Sequence, residues 1–405
     1  YAAWSTAPPR AAQAAAALQR LAEAQPTLSE IAALAAWTAA VVCLNQGRSA
    51  DAVTRLDESA DLWRQLGRPL EAAQTQVPKL AALLMLGEHT LAAECGTAAR
   101  TDLLALGDVA AASKVSLNLG SLQMRRDDYP AAAAHYRQAA VLFARVRDTE
   151  HSVMADLGLA DALTAQGDFP EAGRIYARAR MRAGQHGLPL LEALADESVA
   201  LLDLARGAYD GALAGLERAR RSYVAMQLPR HAAIAEKQLA DTYLELHLLP
   251  EALSLYDQAL ATMAALDMPD DRAWTALQRG RALAGLGRTD DAEAALDEAE
   301  AKFGAQAILP GQAAVALARA ELALGRADGL GARRLAVQAA DLYQQARLPE
   351  GAARCGAMQA AAQLQQGDAA GARQVYASTL AQAQALRALS LQMRCQAGLG
   401  LAALA

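Results

Sequence analysis

The chain has 405 residues, 54% of them hydrophobic but only 4% aromatic, and a formal net charge of −6. That apolar content excludes a disordered chain, the dominance of alanine speaks against a strand-rich core, and the acidic balance argues against a nucleic-acid binder. The apolar runs are alanine-rich and polar residues return at helical spacing, so no segment reads as a membrane span.

A short pattern first stands at Gln46, where QGRSADAV runs from a glycine through polar residues into alanine and a helical stretch. It returns as LGEHTLAA at Leu86, QGDFPEAG at Gln166, RGAYDGAL at Arg206, LGRTDDAE at Leu286 and QGDAAGAR at Gln366. Aligned on the alanine, it gives Ala52, Ala92, Ala132, Ala172, Ala212, Ala252, Ala292, Ala332 and Ala372, a spacing of forty throughout. Seven residues after each stands another small residue, from Ser59 and Ala99 to Ala339 and Thr379. Four after the alanine come the large residues Leu56, Tyr136, Tyr176, Leu216, Tyr256, Leu296 and Tyr376. Steps of four and three keep these positions on one helical face, where small residues admit a neighbouring helix and the large one fills the gap.

The connectors agree with this period. Pro69, Pro189, Pro229, Pro269 and Pro349 occupy equivalent places that open the first helix of a unit, helix A. Pro130, Pro170 and Pro250 likewise open the second, helix B, and Gly67, Gly107 and Gly187 fit C-caps. Each unit therefore reads as helix A, tight turn, helix B and short connector, with helices of roughly 15–18 residues.

These features resemble the tetratricopeptide repeat family. In QGDFPEAGRIYARA the resemblance rests on Gly167, Asp168, Ala172, Tyr176 and Ala179, and in helix A on Leu119-Gly120, weakening to Leu159-Ala160, Leu239-Ala240 and Arg279-Gly280. The family's helix-A tryptophan is missing from its usual place. The resemblance implies an all-α fold, a right-handed α-solenoid of stacked antiparallel helix pairs, with helix A lining a concave binding surface. The long, alanine-rich unit looks like arrays in large bacterial multidomain proteins, next to caspase-like CHAT proteases or signalling ATPases.

The register gives the expected organisation: one solenoid over 1–405, with a partial unit at 1–31, nine repeats over about 32–391, and a tenth helix A over 391–405. Both ends fall inside repeats, and the expectation is a piece of a longer protein. Two irregularities stand out. Pro78 lies inside a helix A and should kink it, and Gly325 comes two residues early, which implies a longer turn and a shorter helix A. Units two and eight carry Gly96 and Ala336 at the large place and should be the weakest packed.

Motifs for chemistry are missing: there is no phosphate-binding glycine loop, HExxH, CxxC or calcium loop, and the six histidines are scattered. No catalytic residue, cofactor or metal is expected. Cys43, Cys95, Cys355 and Cys395 read as reduced thiols of a cytoplasmic protein, with Cys355 and Cys395 in a small, half-buried slot of helix A. Arg174, Arg178, Arg180 and Arg182 cluster on one hairpin and Arg218, Arg220 and Arg221 on the next; they read as a solvated face with acids nearby, or as a reader of anions.

Carrying the family's groove over to the second, fifth and ninth of the helix-A places gives a mixed surface. Its candidate partner-binding residues are Lys114, Asn118, Asp161, Glu197, Lys237, Asp241, Arg281 and Glu321. Trp37, Val77, Leu117, Leu157, Leu277 and Leu317 share the fifth place and serve either as flanks of the groove or as packing between A helices. The leading expectation is a scaffold binding a protein or peptide, without nucleic acid or membrane. The alternatives are the sensor arm of a CHAT protease and the effector-binding arm of a signalling ATPase or transcription regulator, whose partner would be an adjacent domain of the same polypeptide.

Overall fold

From Gly47 to Gly367, every twentieth residue has a positive φ, between 50° and 83°. Nine of these seventeen residues are glycines; the others are Asp127, Arg147, Gln227, His247, Asp267, Ala307, Ala327 and Arg347. Each ends a helix, and all but Gly207 do so with the same pair of backbone bonds. At Gly107, for example, its own N–H reaches Leu104 O at 3.2 Å and the Asp108 N–H reaches Leu103 O at 2.8 Å. The next residue already caps the following helix. Asp108, Asp128, Asp148, Asp168, Asp328 and Asp368 accept a hydrogen bond from the backbone N–H three residues on, and the five helix-A prolines stand at the first helical position. Three-residue connectors between 17-residue helices thus generate the forty-residue unit.

The computed structural model describes residues 8–24, 29–386 and 388–405. Among them there is no strand. They fall into two compact units, Tyr1–Arg206 and Gly207–Ala405.

The first unit contains α1 Pro8–Ala24, α2 Ser29–Asn45, α3 Ser49–Gln65, α4 Pro69–Gln74, α5 Gln76–Leu86, α6 His89–Ala105, α7 Val109–Arg125, α8 Tyr129–Arg145, α9 Thr149–Ala165, α10 Phe169–Gln185 and α11 Pro189–Ala205. The second contains α12 Tyr209–Ala225, α13 Pro229–Glu245, α14 Leu249–Ala265, α15 Pro269–Gly285, α16 Thr289–Ala305, α17 Leu309–Gly325, α18 Gly329–Gln345, α19 Pro349–Gln365, α20 Ala369–Ala385 and α21 Leu389–Leu404. Within each unit consecutive helices pack in pairs, and the A helices of adjoining hairpins also touch, as α7 with α9 and α15 with α17.

The packing follows the small–large–small rule. All nine register alanines are 0% exposed, and Leu56, Leu216 and Tyr256 beside them are equally closed off. Tyr136 shows why small partners are needed. Its ring lies between two A helices, so close that a Cβ at Gly120 or at Gly158 would stand 2.6 or 2.7 Å from it. Tyr376 against Gly398 repeats the Gly158 contact, at 2.3 Å from such a Cβ.

Pro78 does interrupt its helix. The break falls at Thr75, between α4 and α5, because Pro78 cannot donate to the carbonyl four residues earlier. The expected distortion at Gly325 is absent. Helix α17 keeps its full 17 residues, and Ala327 takes the left-handed turn position with φ 61°. The turn geometry dominates there, and a non-glycine residue tolerates it at a cost of about 1 kcal/mol. Unit eight is also not weakly packed. Ala336 lets α17 and α18 make the most extensive hairpin contact of their unit. At Gly96 in unit two, Leu119 and Leu80 come within 2.8 and 3.2 Å of a Cβ position, yet this hairpin has the least extensive contact between its A and B helices in the first unit, as expected.

Candidate partner-binding face

The candidate residues all lie on A helices, where they alternate with buried positions. The fifth place divides. Leu157, Leu277 and Leu317 are at most 8% exposed and belong to the core between helices, whereas Trp37, Val77 and Leu117 remain half-buried. The apolar flanks expected around the groove are therefore largely packing.

In the first unit, Lys114 is exposed and Asn118 half-buried on α7, and Glu197 is half-buried on α11. Asp161 on α9 accepts a 2.5 Å hydrogen bond from the hydroxyl of Tyr176 on α10. Desolvation between the helices raises the Asp161 carboxyl above the usual range, against the opposing pull of that bond. Burial and the adjacent carboxylate together push Tyr176 well up, so it stays a neutral donor. The preceding hairpin has the same lock in uncharged form, with Ser121 and the Tyr136 hydroxyl 3.1 Å apart.

In the second unit the structure brings the four candidates into two pairs on three successive A helices. Lys237 Nζ donates to Asp241 at 2.6 Å on α13, and the other Asp241 oxygen accepts from Tyr256 on α14 at 2.7 Å. Arg281 on α15 reaches across to Glu321 on α17 at 3.0 Å and holds Gln278 at 3.1 Å. All four side chains of these pairs keep between 24 and 29% of their surface open. Glu245, one turn beyond Asp241, is raised by desolvation and by that neighbouring carboxylate. Trp274 lies on the same helix as Arg281, 36% exposed, its ring against Phe303 with centroids 4.8 Å apart.

The arginine clusters serve the fold. Arg178 and Arg182 hold the buried Asp156 at 2.8 and 2.9 Å, Arg182 also donates to Ser152, and Arg180 holds the buried Asp196 at 3.0 Å. Arg174 pairs with Glu171. In the second unit Arg220 bonds Glu217 at 2.8 Å and stands 3.7 Å from Glu236, the same offset of sixteen residues that joins Arg180 to Asp196. An anion reader would need these guanidinium groups uncommitted.

Sequence reasoning missed the tyrosine locks and the buried acids. A signal existed: Asp161 and Tyr176 recur eighty residues later as Asp241 and Tyr256. Cys355 and Cys395 are 0% exposed, more buried than expected, and burial pushes Cys355 up to about 12. Among the described residues no group of three or more His, Cys, Asp or Glu could hold a metal ion. Among the described residues no helix is long and apolar enough to cross a membrane.

Residues 230–304, the two hairpins from α13 to α16, match the tetratricopeptide repeat family model. No curated protein matches the chain in sequence. Among solved structures, aspartyl phosphate phosphatase F from Bacillus subtilis is similar with a TM-score of 0.62 and 10% identity, over 86% of this chain and 93% of its own. A Rap protein in complex with competence and sporulation factor gives 0.56 at 12% identity, over 91% and 97%. The Rap conjugation gene regulator of plasmid pLS20, in complex with the Phr* peptide, gives 0.57 at 12%, over 88% and 96%. At these identities the likeness is one of fold. The described residues form an all-helical array of hairpins, and residues 230–304 of it match the tetratricopeptide repeat family model.

Proposed function

We propose that the chain is a scaffold that binds a protein or peptide segment, and that the helix-A strip of the second unit is the contact surface. The observation that carries this reading is the row Lys237, Asp241, Arg281 and Glu321. These are two opposite-charge pairs, partly open, each fixed before any partner arrives. Tyr256 holds Asp241 and Glu321 holds Arg281, so little side-chain freedom is lost on binding. The row offers donors and acceptors to the backbone and side chains of an extended or helical segment, and the half-open Trp274 supplies an aromatic anchor beside it. Two of the structurally similar proteins are described in complex with competence and sporulation factor and with the Phr* peptide, which supports this class of ligand.

The test is a peptide-display selection on the full chain, followed by the same selection on Arg281→Glu and Lys237→Glu. Peptides enriched on the parent should lose at least about tenfold in affinity on either variant, as expected when one partner of a charge-assisted contact is reversed. Enriched peptides that bind both variants as well as the parent would place the contact elsewhere.

A further inference from the structure

The helix break before Pro78 borders a cavity that lies wholly within the first unit. Between α2, α3, α4, α5 and α7 lies a half-open cavity of about 470 Å3, within the size range of small-molecule sites. Its walls are apolar and rigid: the Trp37 and Trp63 rings, Val77, and Pro78 itself. Thr75, at the break, is 1% exposed and spends its hydroxyl on Ala72 O at 2.7 Å, so the wall makes no unmet polar demand there.

We propose that this cavity binds a small apolar molecule carrying one carboxylate, with Lys114 as the counter-charge. The polar rim decides the sign. Glu71 is engaged by Arg68, whose guanidinium holds it below the usual carboxylate range. Asp108 is engaged on both oxygens, by Gln74 at 2.7 Å and by the Ala111 N–H at 2.9 Å. Lys114 lines the same cavity, is exposed, and among the described residues has no carboxylate within 4.0 Å; it acts on Asp148 only through its field. Glu71 is thus offset by a guanidinium and Asp108 is held by two neutral donors, while an incoming carboxylate meets in Lys114 an ammonium free to donate. The apolar body fills space between two indoles and a proline, and the single charge stays at the wet rim. This site is independent of the peptide reading, which concerns the second unit.

The probes are 4-phenylbutyrate and its uncharged amide, titrated into the full chain by calorimetry and followed by tryptophan fluorescence. The acid should bind saturably at one site, and the amide at least about tenfold more weakly, the usual worth of a charge-assisted hydrogen bond. Lys114→Met, a change at an exposed position, should bring acid and amide to the same affinity. Ala110→Trp, at the exposed rim, should block both ligands while circular dichroism stays that of the parent. Failure of the acid to saturate, equal affinity for acid and amide on the parent, or an undiminished acid preference in Lys114→Met would overturn the assignment.

Discussion

Tyr256 donates from its hydroxyl to Oδ1 of Asp241 at 2.7 Å, fifteen residues back along the same hairpin. The contact ties helix B to the solvent-facing strip of helix A, and Tyr176 repeats it with Asp161 at 2.5 Å. Both tyrosines thus serve two purposes: the ring fills the gap between small residues, and the hydroxyl fixes a candidate binding residue.

Tyr256→Phe keeps the ring and removes the donor. We expect a loss of about 1–2 kcal/mol, the worth of a hydrogen bond to a charged acceptor. Urea unfolding of the variant should show it, together with weaker binding of any peptide that depends on Asp241. A variant as stable as the parent would mean that water replaces the hydroxyl at no cost.

Asp156→Asn leaves Arg178 and Arg182 facing a neutral amide in a buried place. Breaking a buried pair costs about 3–5 kcal/mol; because Arg178 and Arg182 are 52% and 27% exposed, roughly 2 kcal/mol is expected. Arg178→Ala should cost under about 1 kcal/mol, since Arg182 remains and Arg178 is largely solvated. Hydrogen exchange of α9 and α10 would localise the effect.

Glu217 is held down to about 2 by hydrogen bonds from Arg220 and then Arg221, with burial opposing. Its folded value lies below the ordinary 4.5, so its contribution is present above about 4.5 and is lost as pH falls through about 2. At 31% exposure of its side chain, the effect at neutral pH is about 1 kcal/mol. Glu217→Gln should therefore be less stable than the parent at pH 7 and converge with it near pH 2, which denaturation midpoints over that range would reveal. A constant gap would assign the effect to packing.

Glycines in helices should respond oppositely according to what faces them. Gly325 has open space around its missing Cβ, so Gly325→Ala should stabilise by about 0.5–1 kcal/mol. At Gly158 a Cβ would stand 2.7 Å from the Tyr136 ring, so Gly158→Ala should destabilise by about 1–3 kcal/mol despite the better helix former. Thermal melts of the two variants check this; equal shifts would show that the Tyr136 ring moves freely.

Legibility in the sequence differed from one feature to the next. Ala52 to Ala372, the helix-opening prolines and the break before Pro78 were readable because helix periodicity, missing N–H groups and side-chain volume act over a few residues. The turns were readable only where glycine occupies the left-handed position. Where Asp127, Ala307 or Ala327 takes it, the backbone bonds impose a conformation that the residue itself does not announce. Misreading Gly325 as the turn glycine came from the same source.

The sequence by itself determined the repeat, its period and the buried face of the B helices, because those follow from local spacing. Only the tertiary structure decided which charges are free. Asp156 and Asp196 became internal anchors for arginines, Asp161 and Asp241 became tyrosine-locked, and Lys114 was left over an apolar cavity. Each of these acids takes a partner from another helix, fifteen to twenty-six residues away, and that pairing depends on where stacking places each side chain rather than on its neighbours in the chain.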